Sequence, residues 1–273
     1  MNRALILAAV LILALAYAPR RSGSTVVHDR QQATTQQSSA SPTSPQQTGQ
    51  PPVTPAPTLR TIVLDPGHGG DDTGARGPSG VAEKNVVLEF ANSVATALRT
   101  EGFQVILTRT GDTDPSLSDR DAIGNAQSDA AFISLHVGST GTVATVRTYT
   151  YLFPTQPAPP PANPDNAATA DGPQAPPPGF LLWNEAQKPF VAQSVKLGDL
   201  LQVELAQKFK NSPEISASAP VAVLRSVAAP AVAVEVSSVA AGASQLESMS
   251  ADLAACIARA AAAYKTVYVP EPH

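Results

Sequence analysis

Short unbroken apolar runs alternate along residues 61–266 with stretches whose apolar positions recur every three or four residues. Thr61–Leu64 reads as a strand that ends in the turn Asp65-Pro66-Gly67. Between 84 and 100, Val87, Phe90, Val94, Ala97 and Leu98 fall on one helical face, and Gly102 stands where a helix C-terminal glycine belongs. Phe103–Thr108 predicts the next strand, and 117–127 a short helix with Leu117, Ile123 and Ala126 as its apolar positions. Ala130–Leu135 reads as a buried strand and Val143–Phe153 as a longer one. Residues 188–211 predict a helix striped by Leu197, Leu201 and Leu205. Val221–Leu224 and Ala231–Val236 read as two more strands, and a helix from about 245 to 266 opens on the capping pair Ser244 and Glu247. Strands alternating with helices predict an α/β sandwich around a mostly parallel sheet, in one domain over 60–268.

The pattern breaks in three places. Residues 4–18 are uninterruptedly apolar behind Arg3, 15 residues where a comfortable span needs ~20. Residues 1–21 therefore read as a signal peptide or an N-terminal membrane anchor. Ala16-Tyr17-Ala18 is a small-x-small cleavage pattern, but Pro19 directly after it disfavours cutting. Export to the periplasm or cell envelope is expected, anchored to the inner membrane through 4–18 if the segment stays on. Residues 22–59, with six prolines among Ser, Thr and Gln, predict a disordered linker. Residues 154–180 hold ten prolines in 27 positions and read as an exposed insertion.

Composition narrows the function. Residues 61–273 carry 13 Lys+Arg against 21 Asp+Glu, so no nucleic-acid partner is expected. The single cysteine, Cys256, excludes an intrachain disulfide framework and a Cys-rich zinc site. No Gly-x-Ser-x-Gly elbow is present, and GHGGDDTGARG at 67–77 matches neither phosphate-loop pattern. His28 falls in the linker and His273 is the last residue, which leaves His68 and His136 for a folded site.

His68 follows the first strand, His136 and Glu235 end later ones, and Glu83 opens a helix. Ligands of α/β sheets bind beyond the carboxyl ends of strands. Two His and one Glu suit catalytic zinc, with three protein ligands and one open position, and a further acidic group would serve as general base. Each has a plainer account: a loop histidine, a hydrogen-bonded strand-end histidine, an acidic residue at a helix N-terminus. Glu235 is the hardest to explain so, because a carboxylate inside an apolar run needs a partner or a function.

Ile62-Val63-Leu64-Asp65-Pro66-Gly67-His68-Gly69-Gly70, with Gly74-Ala75 and Glu83-Lys84, resembles the opening of zinc-dependent N-acetylmuramoyl-L-alanine amidases, the type-3 cell-wall amidases. The resemblance continues through Leu107-Thr108-Arg109, Leu117…Arg120…Asn125, Phe132–His136, Val223-Leu224-Arg225 and Pro230–Glu235, covering nearly all of 61–266. It implies about six strands, one Zn2+ held by His68, Glu83 and His136, and Glu235 as the catalytic glutamate. The implied substrate is peptidoglycan, cut between N-acetylmuramic acid and L-alanine of the stem peptide, with a protein activator as a further partner. Arg225 is a candidate for holding a carboxylate or carbonyl of that peptide, against the plainer account of a surface or salt-bridged arginine. Two departures stand out: Val137-Gly138-Ser139 replaces the usual small-x-Asn after His136, and Val236-Ser237-Ser238 follows Glu235. They keep open a degenerate domain that binds peptidoglycan without cutting it. A zinc peptidase acting on stem peptides is the other alternative.

Overall fold

The computed structural model describes residues 58–154 and 181–270, with only the backbone of Ser79. The expected export segment 1–21, the linker 22–59 except its last two residues, and the insertion 154–180 except Pro154 lie outside the described residues. Among the described residues no helix is long and apolar enough to cross a membrane.

Six strands form one sheet: β1 (Thr61–Pro66), β2 (Gln104–Leu107), β3 (Ala130–Gly138), β4 (Thr145–Tyr151), β5 (Ala217–Ala219) and β6 (Ala231–Ser237), in the spatial order β2-β1-β3-β6-β4-β5. Pairing is parallel except between β4 and β6. Three helices, α1 (Glu83–Thr100), α3 (Val191–Lys208) and α4 (Ala243–Lys265), cover one face. Val86, Val87, Phe90, Val94 and Leu98 of α1 and Leu197, Leu201 and Leu205 of α3 pack there on Ile62, Leu64, Ile133, Leu135, Val232 and Val234. Truncating one such side chain, Phe90 for instance, costs about 3–5 kcal/mol. Gly102 follows the end of α1 at φ 81°, a conformation that favours glycine.

The opposite face is covered only in part. Val63, Phe132, Ala231 and Ala233 lie under Val223, Leu224 and Val227. α2 (Leu117–Asn125) joins this cover, with Gly124 close against Phe132. Toward the carboxyl ends of β3 and β6 the apolar cover stops, and the polar residues of the strands begin.

Three expectations need correction. Val221–Leu224 is not a strand: Ala222–Leu224 form a 3-10 turn, whose apolar side chains cap the second core, and the sixth strand is the three-residue β5. α4 starts after Gly242 with no side-chain cap, so Ser244 and Glu247 do not form the capping box. That motif sits at α2, where Ser116 Oγ accepts from the Asp119 N–H at 3.2 Å and Asp119 accepts from the Ser116 N–H at 3.1 Å. The buried positions of α2 are Arg120, Asp121 and Gly124 rather than Leu117, Ile123 and Ala126.

Asp121 is 4% exposed, and its Oδ1 has no hydrogen-bond partner among the described residues. Burial, helped by the charge of Asp65 and opposed by Arg225, raises its carboxyl from the ordinary 3.8 to about 6. The folded state then binds a proton more tightly than the unfolded chain, so the ionised group costs stability as pH rises between these values. Relative to the parent chain, Asp121→Asn should gain about 2 kcal/mol between pH 4 and pH 7.5. Denaturant titrations at the two pH values check this, and a pH-independent difference contradicts it.

Candidate metal centre

The loop after β1 carries His68 at φ 61°, a backbone region few non-glycine residues occupy. Two arginines hold it there. Arg109 donates through Nε to the Pro66 carbonyl and through Nη2 to the Gly67 and Lys84 carbonyls, each at 2.8 Å. Arg120 donates to the carbonyls of Pro66 at 3.0 Å and His68 at 2.9 Å. Asp65 balances this charge from the end of β1, 2.7 Å from Arg120 Nη1, and accepts further bonds from Thr108 Oγ1 and Ser134 Oγ at 2.6 and 2.7 Å. Asp65 and Arg120 are almost wholly buried, 1% and 4% exposed.

Glu83 enters as the first residue of α1, His136 as the seventh of β3. The Glu83 carboxylate sits between the histidines, with Oε2 3.1 Å from His68 Nε2 and Oε1 3.0 Å from His136 Nδ1. It also accepts from the backbone N–H groups of Ala75 and Val137, both at 2.8 Å. Burial opposes the Glu83 charge, but the bonds from His136, His68 and these two amides outweigh it and hold the carboxyl far below the usual range. The Glu83 bond, against burial and with help from Asp72, raises His68 to about 9. Space here is tight: a side chain at Gly67 would strike the His136 ring, and one at Gly74 would strike His68 and Glu83.

Donor atoms of His68, Glu83 and His136 all lie within 4.8 Å of one another. A buried carboxylate held ionised between two imidazole rings marks a centre that suits a cation. Two imidazoles and one carboxylate are a donor set for a divalent transition metal, zinc in particular. The residues therefore fit the ion.

Glu235 lies one strand away, in register with His136. It is half-buried, and no hydrogen bond or ion pair to another described residue engages its carboxylate. Burial pushes that carboxyl up, while His136 pulls it down. A cleft of about 320 Å3 opens beside the histidines, lined among others by Asp114, Leu117, Val221 and Val223. Arg225 is exposed at the end of the 3-10 turn and does not line this cleft.

Asp72 gave little sign of a role in the sequence beyond its place four residues after His68. Its Oδ2 stands 2.7 Å from His68 Nδ1, and its Oδ1 accepts from the Gly74 N–H at 3.0 Å. It thereby turns Nε2, the other ring nitrogen, toward Glu83.

The family model described as N-acetylmuramoyl-L-alanine amidase matches residues 62–263. The chain is 49% identical over 77 residues to "N-acetylmuramoyl-L-alanine amidase AmiA" of Escherichia coli, a match covering 28% of this chain and 27% of that relative. The chain thus spans about a quarter of that relative's length. Among solved structures it resembles an N-acetylmuramoyl-L-alanine amidase from Clostridium difficile 630, with TM-score 0.51 and 21% identity over 76% of this chain and 97% of the other. It also resembles the CwlD amidase from Clostridioides difficile, solved in complex with the GerS lipoprotein, with TM-score 0.55 and 19% identity over 77% and 100% of the two chains. At these identities the structural likeness speaks for the fold.

A carboxylate behind a metal-binding histidine typically contributes a factor of about 10–100 in metal affinity. Asp72→Ala should weaken zinc binding by about that factor, with Asp72→Asn between the two. Competition against a chromogenic chelator measures it, and parental affinity in Asp72→Ala would show that Asp72 does not orient the ligand.

Proposed function

The chain belongs to the N-acetylmuramoyl-L-alanine amidase family whose model spans residues 62–263, and on that premise we propose that it is a zinc-dependent peptidoglycan hydrolase cutting the amide between N-acetylmuramic acid and L-alanine. The observation that carries this reading is the contrast between two glutamates that flank His136. Glu83 is saturated with hydrogen bonds among the histidines, while the carboxylate of Glu235, next to His136, has none among the described residues.

His68, Glu83 and His136 would hold the zinc ion. Bound zinc supplies a Lewis acid for the amide carbonyl and brings the pKa of a water towards ~7. The free Glu235 carboxylate takes a proton from the attacking water as oxygen adds to the lactyl carbonyl carbon. It then gives the proton to the departing nitrogen of L-alanine as the carbon–nitrogen bond breaks. Burial suits Glu235 to this exchange, since a carboxyl pushed upward holds a proton more readily than an exposed one. Asp72 fixes the His68 ring, and Arg109 and Arg120 fix the backbone that carries it.

The apolar segment 4–18 and the linker 22–59 support export, with the catalytic domain 60–268 acting in the periplasm or cell envelope. A protein activator belongs to the same proposal. The fold-related CwlD amidase was solved with a lipoprotein bound.

Purified peptidoglycan, incubated with the protein and analysed by mass spectrometry, should yield stem peptides with a new L-alanine amine. Chelation should abolish them and zinc restore them. Glu235→Gln should retain zinc and lose about 10²–10⁴-fold in turnover. Cuts within the stem peptide would instead identify a peptidase, and zinc-loaded protein that sediments with sacculi but releases nothing would identify a binding domain.

A further inference from the structure

His136 of β3, Glu235 of β6 and Arg147 of β4 are register partners across three adjacent strands. Their side chains form one row on one face of the sheet. Ala233 of the preceding row lies under the apolar cover, with Tyr149 packed against that cover from the side. The row of Arg147 is the first beyond that cover, level with the metal centre.

Arg147 is exposed, and no hydrogen bond or ion pair to another described residue engages its guanidinium. Its charge acts on Glu235 across the strand pair. The cations on and around the loop after β1 are committed. Lys84 Nζ is 2.8 Å from Asp112 and 2.7 Å from the Gly70 carbonyl. Arg109 and Arg120 hold the loop after β1, and Arg76 donates to Thr73 Oγ1 at 3.2 Å. Residues 61–273 carry a net charge of −8, which repels anions in general. An uncommitted guanidinium beside the reacting groups is where this surface admits one.

We propose that Arg147 binds a carboxylate of the stem peptide just beyond the scissile bond, so that the protein prefers stem peptides whose second residue carries a free carboxylate over those with a carboxamide there. The inference rests on the amidase reading. Cross-strand neighbours stand about 4.5–5.5 Å apart at Cα. An extended peptide advances about 3.5 Å per residue, so a group one or two residues past a bond at Glu235 lies within reach of an arginine at the next strand. Guanidinium pairs with carboxylate through two parallel N–H···O bonds, a geometry that neither a carboxamide nor a lysine reproduces.

The test uses two synthetic muramoyl peptides that differ only in carboxylate or carboxamide at the second stem residue. With the zinc-loaded full chain, kcat/KM should favour the acid by about 10–100-fold, the worth of a charge-assisted bidentate pair. In Arg147→Gln the preference should collapse to near one, and in Arg147→Lys it should be intermediate. Thermal midpoint and zinc content, measured alongside, report on folding. A preference that survives in Arg147→Gln, or none in the parent chain, overturns the proposal. Cleavage of neither substrate by the parent is a failure of the amidase reading instead. Equilibrium binding of the acid and amide peptides to parent and Arg147→Gln then decides the role of Arg147 without turnover: a preference present only in the parent upholds it, and equal binding overturns it.

Discussion

The buried pair of Asp65 and Arg120 carries the rest of the site. Such a pair adds little net stability over well-packed apolar residues, because both charges leave water. Its effect here is positional. One arginine group reaches the end of β1, the carbonyl of Pro66 and the carbonyl of His68, so the strand end and the metal loop move as one body. Arg109 ties the same loop to the first turn of α1 through the Lys84 carbonyl. Removing Arg120 would leave the buried Asp65 charge without its cation, at about 3–5 kcal/mol, and free a loop whose histidine sits in an unfavourable backbone conformation.

That rigidity lets one residue type serve two ends. Glu83 and Glu235 face the same sheet edge, yet their surroundings pull them in opposite directions. Backbone amides and imidazoles keep Glu83 charged, whereas burial without a partner raises Glu235. Paired titratable groups whose environments drive them apart are a recurrent sign of divided labour between holding and proton transfer.

Much of this was legible in the order of residues. β1, β3 and β6 are nearly continuous apolar runs because both of their faces are covered, which is the pattern of a parallel sheet. His68, Glu83, His136 and Glu235 stood out by lying at the ends of such elements. The less legible parts have physical reasons. β5 is three residues of Ala and Ser at a sheet edge, with no apolar signature. Val221–Leu224 is apolar because it lids a core, which a strand and a turn can do equally well. α2 escapes the periodicity rule because its buried face is ionic. Arg147 becomes visible only through the register of β4 on β6, a long-range relation that no local spacing encodes.

The connection from β4 to α3 has a different significance. On one side the Phe153 ring rests edge-on against Tyr151, 4.8 Å between centroids, and Lys188 lies 5.7 Å from it. On the other, Gln187 donates to the Val227 and Ala229 carbonyls at 2.7 and 2.8 Å. Both ends of residues 155–180 are therefore fastened to the body of the domain independently of what joins them. This junction is a graft point in outline: a chain entering after Phe153 and leaving before Gln187 meets fastened ends on both sides.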